Sequence, residues 1–373
     1  MSDPNASATS EALSVLSLRH LLQATALLVT RGSLRSADLA KTMRVHFGGS
    51  DAAGHWDWRM AYDVMQAAAN LALKDATSPT PPRALAQLAQ GLLTETRRSE
   101  DQIRLQQFST PLPYAALVAH AACVRKSDLV LEPSAGTGSL AAMAVRHGAD
   151  ILLNEIDPFR AVLLEAIFDL TPSIHDGEHI DDLLLDPRKP SVVLMNPPFS
   201  SSIDRSNDPH TAAKHLVAAS KRLAPGGRLV AIMPTRFSAK SVPAYWTRLT
   251  GIVTPRLALD IPGSVYRKMG TTVDTQVLIC DKVALDDHVF EQRSADTLEE
   301  AFALLDETLP ERSDVQPGPF ARTRSPILTV NREALRRIGT SSKASGLSTG
   351  VVIGPKHALA PVAYDVLAAP REN

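Results

Sequence analysis

Two cysteines, Cys123 and Cys280, are all that the 373 residues hold, and no Cys/His cluster surrounds either one. That scarcity argues against a disulfide scaffold or a structural zinc site and fits a reducing compartment. No sign of charge prevails: 39 Lys and Arg stand against 40 Asp and Glu, a net charge of −1. No global basic field therefore announces a polyanion, and any nucleic-acid contact must come from a local patch. No apolar run approaches the roughly 18 residues of a membrane span. The opening "MSDPNASATSEALS" is polar and mildly acidic, unlike a signal or transit peptide. A soluble, cytoplasmic protein is the expectation. There is no internal repeat and no G-x-x-x-x-G-K phosphate loop, so no ATPase motor is recognisable. What remains is an ordinary globular composition, 44% hydrophobic and 21% charged, with length for two or three domains.

Helical spacing dominates residues 11 to 100. "ALSVLSLRHLLQATALLVTRG" stops at Gly32. "SLRSADLAKTMRVHFG" has Ser36 and Asp38 to cap its start and Gly48 after its end. "WDWRMAYDVMQAAANLALKDA" is long and Ala-rich, its "WDW" an anchor for the local core. "TSPTPPRA" then breaks the pattern, and "ETRRSEDQIRLQ" reads as a solvated, mixed-charge stretch.

From about residue 106 short β runs alternate with helices. "DLVLEP", "DILLNEID", "SVVLMN" and "RLVAIMP" read as strands, "SIHDG" as a further short one. "TPRLALDIP" and "VDTQVLICDK" have no strong helix between them and can pair antiparallel. The grammar predicts a mostly parallel α/β sheet covered on both faces. The expected organisation is a helical N-terminal domain over 1–105, an α/β domain over 106–285, and a C-terminal extension over 286–373, partly helical and partly loop.

"LVLEPSAGTGSLA" sets Gly136 and Gly138 between a strand and a helix. Such a turn lets backbone approach a ligand, and the helix start offers free N–H groups. With Ala141 the glycines satisfy G-x-G-x-x-[G/A], and Glu155 ends the next strand, so a nicotinamide reading stands beside others. Glu132 tilts the balance, because a carboxylate there repels a pyrophosphate and suits an ammonium group. Upstream, "QQFSTPLPYAA" offers Phe108, Ser109 and Thr110 before a proline; Ser109 or Thr110 as a helix cap is the plainer reading.

"VVLMNPPFSSS" ends a buried strand with Asn196, Pro197, Pro198 and Phe199. The prolines remove two donors and stiffen the turn, which leaves carbonyls free. Asn196 adds a side-chain acceptor and Phe199 a flat apolar face. Acceptors beside an aromatic plane suit a planar group bearing –NH2: adenine, cytosine, guanine or a carboxamide. The alternative is an Asx/Pro turn with a core Phe.

In this order "FSTP", "EPSAGTG", "NEID" and "NPPF" resemble the class I S-adenosylmethionine-dependent methyltransferases of the amino-group type, which include adenine-N6 DNA methyltransferases. That resemblance covers roughly residues 106 to 283. More narrowly, "GGSDAAGHWDWRMAYDVMQAA", "TRRSEDQIRLQQFSTPLP" and "SVVLMNPPFS" look like the N-terminal methyltransferase region of bacterial strawberry notch-like methylase/helicase proteins, over about residues 10 to 285. The resemblance implies a Rossmann-like, seven-stranded class I methyltransferase fold and S-adenosylmethionine as cofactor. It implies that Glu132, Ala135, Gly136, Thr137 and Gly138 meet the methionine end. Glu155 would take the ribose hydroxyls, Ile156 pack on adenine, and Asp176 accept from the cofactor's exocyclic amine unless it only caps a turn. Phe108 and Thr110 would close over the cofactor. Asn196 and the Pro197 carbonyl would hold the target amine, with Pro198 stiffening the turn and Phe199 stacking on the base; no metal is required. DNA adenine N6 is the implied target. RNA, protein glutamine-N5, or a silent cofactor-binding module serving a helicase or phage particle are the alternatives. "PTRFSAKSVPAYWTRL" mixes Arg and Lys with aromatics, either as ordinary surface or as a nucleic-acid groove.

Overall fold

A computed structural model describes residues 13–32, 34–77, 81–96, 109–199, 208–269, 272–284, 289–309, 311–313 and 315. Phe108, most of "ETRRSEDQIRLQ" and the final "SSKASGLSTGVVIGPKHALAPVAYDVLAAPREN" lie outside those residues.

The N-terminal segment forms α1 (Val15–Thr30), α2 (Ser36–Phe47), α3 (Trp58–Asp75) and α4 (Pro82–Gly91). Each start has a local cause. The Ser14 hydroxyl accepts from Ser17 N–H, and the Asp57 carboxylate accepts from Met60 N–H. The expected caps of α2 are corrected: Ser36 and Asp38 lie inside its first turn, Arg35 holds the cap position without a side-chain bond, and Asp38 instead pairs with Arg35 at 2.8 Å. Gly48 does end α2, in the left-handed region. Trp56 is buried and donates to Gly49 O at 3.0 Å, so "WDW" does anchor the local core.

The rest alternates. α5 (Leu112–Ala121) precedes β1 (Leu129–Glu132). α6 (Ser139–Arg146), β2 (Asp150–Leu153), α7 (Pro158–Phe168), a 3₁₀ turn (Gly177–His179) and α8 (Ile180–Leu183) follow. Then come β3 (Val192–Met195), α9 (Thr211–Arg222), β4 (Arg228–Pro234), α10 (Pro243–Thr250), β5 (Thr254–Ile261), a second 3₁₀ stretch (Gly263–Met269), β6 (Thr275–Asp281), β7 (Glu291–Ser294) and α11 (Leu298–Thr308). The seven strands form one sheet in the order β2-β1-β3-β4-β6-β5-β7. It is parallel except that β6 runs against both β4 and β5. This is a mixed α/β, Rossmann-like sheet with helices on both faces. "SIHDG" is not one of the strands: it contributes only a bridge between Ser173 and Asn154. The seventh strand is β7, which lies in the C-terminal extension.

The central strands are buried throughout, and alternate residues serve opposite faces. Val130, Val192, Leu194, Val230 and Ile232 join a core that also holds Leu18, Leu22, Met65 and Leu305. Leu131, Val193, Met195, Leu229 and Ala231 face the other way, onto Leu216, Phe237 and Leu249. The N-terminal helices thus share one core with the sheet.

Candidate active site

Parallel pairing decides what meets at the sheet's edge. Glu132 is in register with Leu153, and Val130 with Val192, so β1, β2 and β3 end side by side. The order reverses between β2-β1 and β3, which opens the crevice where α/β folds take ligands. Glu132, Asn154–Glu155 and Asn196 stand at that edge.

The loop after β1 is built by its glycines. Gly136 has φ +56° and Gly138 has φ +89°, conformations that L side chains rarely adopt. Ala135 N–H donates to Asn154 O (2.9 Å), and Gly138 N–H turns back to Ala135 O (2.8 Å). The two glycines have different reasons. A Cβ at Gly138 would lie 2.8 Å from both Leu164 and Phe168, so this glycine serves the packing of α6 on α7. A Cβ at Gly136 would meet only Arg160 Nη1, at 4.0 Å. Open space beside a left-handed backbone is therefore at Gly136, while Gly138 has a packing reason of its own.

Glu132 is buried and its Oε2 accepts from Ala141 N–H (2.8 Å), capping α6 from the neighbouring strand. Burial pushes its carboxyl well above the usual range, and the nearby Glu155 adds to the rise. Glu155 is also buried. Its Oε2 accepts from Gly136 N–H (2.7 Å) and its Oε1 from Asp157 N–H (2.9 Å), which ties the end of β2 to the glycine loop. Its carboxyl is raised by burial, with Arg160 opposing. Beside it Ile156 is 38% exposed, an apolar face at the rim of the crevice. Thr137 is buried and donates from Oγ1 to Ser109 Oγ (3.2 Å). Asp176 caps the 3₁₀ turn, accepting from Glu178 N–H at 2.9 Å. That contact is the capping role weighed in the sequence.

The tetrad shows a directed amide. Asn196 Nδ2 donates to Thr110 Oγ1 (3.0 Å) and to the Tyr266 hydroxyl (3.4 Å). No described residue donates to Asn196 Oδ1 or to the Pro197 carbonyl. Two acceptors on consecutive residues are thus left without a described donor. Thr110 and Ser109 are not helix caps: Pro111 holds the cap position of α5, and both hydroxyls turn to the site instead. Tyr266 is buried, which keeps its hydroxyl protonated well above the usual range. Its ring meets Tyr114 edge-on at 5.6 Å, and Tyr114 bonds Thr275 at 2.9 Å. Pro197 is buried; Pro198 and Phe199 are half-buried, Phe199 packing on both core faces.

Three contributors were not singled out in the sequence. Asn154 knots the edge together: its Nδ2 donates to Pro133 O (2.8 Å) and His175 O (2.9 Å), and its Oδ1 accepts from Ser173 (2.8 Å). It sits in "NEID", where a local signal existed. Tyr266 and Asn70 reach the site from far along the chain, and no local pattern marks them. Asn70 on α3 donates to Thr137 O (2.8 Å). Among the described residues no group of three His, Cys, Asp or Glu is arranged to hold a metal ion, and no helix is long and apolar enough to cross a membrane.

No family model and no curated protein matches the chain. Solved structures do resemble it. The methyltransferase subunit of a type I restriction-modification system from Streptococcus thermophilus is 16% identical, with 81% of this chain and 75% of that one covered, TM-score 0.45. A candidate class I S-adenosylmethionine-dependent methyltransferase from Listeria monocytogenes is 15% identical, over 80% and 98%, TM-score 0.44. The modification subunit of a candidate type I restriction enzyme from Vibrio vulnificus YJ016 is 18% identical, over 58% and 53%, TM-score 0.42, so this chain spans about half of that subunit's length. At such identities a likeness concerns architecture and says nothing of substrate.

Proposed function

We propose that this chain is an S-adenosylmethionine-dependent methyltransferase acting on an exocyclic amino group, with adenine N6 in DNA as its target. The observation that carries this reading is the tethered amide of Asn196. Thr110 and Tyr266 take its N–H groups, which leaves Oδ1 and the carbonyl of the next residue, Pro197, as acceptors. A group with two N–H donors on one nitrogen is what such a pair fits. The narrower resemblance to strawberry notch-like methylases belongs to the same reading and rests on the sequence runs that carry it.

The cofactor fits the residues at the adjoining strand ends. Gly136 has open space where backbone must approach a ligand. Glu155 would hold the ribose diol, Ile156 pack on adenine, and Glu132 face the ammonium. When bound, the cofactor supplies an electrophilic methyl group. The chain's own part is to orient the amine. An aromatic amine is a poor nucleophile because its lone pair is delocalised into the ring. Hydrogen bonds to Asn196 Oδ1 and Pro197 O favour a pyramidal nitrogen and stabilise the positive charge that develops there. Burial of Thr110 and Tyr266 fixes the amide before substrate arrives, so little reorganisation is needed.

A nucleic-acid target agrees with the segment after β4, whose C-terminal end shares this edge. Arg236, Lys240 and Arg248 are exposed there, and residues 235–250 contain no acid. Tyr245 lies between His210, 5.1 Å away, and the Arg248 guanidinium, 5.3 Å from its ring. A base in a duplex must be flipped out to reach Asn196. Incubation with cofactor carrying a labelled methyl group, against DNA, RNA and protein separately, tests the reading. Label in DNA recovered as N6-methyladenine is expected. Label only in protein glutamine or RNA overturns the substrate, and no label in any polymer leaves the pocket a silent binding module.

A further inference from the structure

Helix α3 is buried along most of its length, and Asp63, Gln66 and Asn70 are buried polar residues on it. Their spacing of three and four puts them on one helical face. That face meets the glycine loop. Asp63 Oδ1 accepts from Arg160 Nε (3.0 Å) and Nη2 (2.7 Å) at the start of α7. Asn70 holds the Thr137 carbonyl through Nδ2, yet its Oδ1, in a residue 0% exposed, accepts from no described residue. Ser139 Oγ, two residues beyond Thr137, is likewise buried with no partner among the described residues. Buried polar atoms are nearly always paired, and each orphan carbonyl costs about 1–3 kcal/mol. Gln66 Nε2 donates to the weak acceptor Met269 Sδ (3.3 Å) and only distantly to Glu95 Oε1 (3.4 Å).

The missing ligand group must therefore carry an N–H donor for Asn70 Oδ1 and lie against the Gly136–Ser139 turn.

We propose that this face of α3 binds the amino-acid end of the cofactor, with Asn70 Oδ1 accepting from the ammonium and Gln66 donating to the carboxylate. The inference rests on the methyltransferase reading and extends it: the N-terminal helices complete the cofactor pocket. Glu132 closes the ammonium's other side across the loop.

The test uses the full chain and two ligands. S-adenosylhomocysteine carries the amino-acid end; 5′-deoxy-5′-methylthioadenosine shares the adenosine and thioether but lacks it. Calorimetry on the wild type should show the first binding more tightly. Asn70→Leu and Gln66→Leu should each weaken S-adenosylhomocysteine about tenfold or more while leaving the methylthio ligand within about threefold, the scale of one lost hydrogen bond to a charged group. Gln66 makes no strong bond within the fold, so its variant keeps the test decisive if Asn70→Leu does not fold. Equal weakening of both ligands in a folded variant, or unchanged S-adenosylhomocysteine affinity, overturns the inference: the amides then only brace the loop. A wild type that binds neither ligand overturns the cofactor reading itself and this inference with it.

Discussion

A methyl group added at Gly136 would point into open space, whereas one at Gly138 would press on Leu164 and Phe168 at 2.8 Å. Gly136→Ala is therefore expected to fold at a cost of about 1–2 kcal/mol for the left-handed backbone, and to weaken S-adenosylhomocysteine measurably. Gly138→Val should instead lower the melting temperature far more, because branched carbon must displace α7. Thermal melts and calorimetry on the two variants separate the roles; equal melting temperatures would contradict them. Glu155→Ala is expected to cost about 1.5–3 kcal/mol of cofactor affinity. If it binds S-adenosylhomocysteine as tightly as wild type, Glu155 does no more than tie Gly136 to β2. At this scale the sequence made the strand-end residues legible, because a parallel sheet aligns them whatever surrounds them. The supports were not legible. Tyr266 and Asn70 act through pairings 70 and 67 residues apart in the chain, and only the fold brings them together.

Helix α9 meets the 3₁₀ turn through His215, whose Nδ1 lies 3.5 Å from Ser134 Oγ and whose Nε2 lies 3.8 Å from Asp176 Oδ1. Burial holds this imidazole down to about 4, against an opposing pull from Glu178 and reinforcement from His179 and Lys214. The unfolded chain binds the proton more readily, so this contribution to stability is full above the unfolded value near 6.5 and is lost as pH falls toward 4. Between pH 7 and pH 5 the wild type should lose about 2 kcal/mol that His215→Gln does not lose. Urea midpoints at the two pH values check it, and parallel losses in both proteins would contradict it. Elements with strong apolar periodicity, such as β4 and α1, were legible from sequence. Two were not. β7 reads "EQRS", almost wholly exposed at the sheet's edge, so no alternation marks it. α10 is eight residues long and buries one side chain, Leu249. "SIHDG" errs the other way, extended yet held by a single bridge.

Arg312 of the C-terminal extension sits at the strand starts, the edge opposite the site. Arg312 is buried against Asp128, just before β1, with Nη2 to Oδ2 at 2.7 Å and Nη1 to Oδ1 at 3.0 Å. Asp128 also binds Ser191 Oγ (2.7 Å) at the start of β3. Arg312→Ala leaves that carboxylate buried without its guanidinium, and stability should fall by about 3–5 kcal/mol. Cofactor affinity should stay within about twofold, since the crevice is at the other strand ends. A large change in affinity with no change in stability would contradict this separation of supporting edge from working edge. At the working edge one amide, that of Asn196, is tethered by Thr110 and Tyr266 through its nitrogen. The most direct measurement is the methyl-transfer rate of Asn196→Ala on whichever substrate the wild type labels, taken beside its affinity for S-adenosylhomocysteine. The rate should fall by roughly 100-fold or more with affinity nearly intact, the loss of one dipole aimed at developing charge. A wild-type rate in this variant would mean that the tetrad is a turn and that the amine is activated elsewhere.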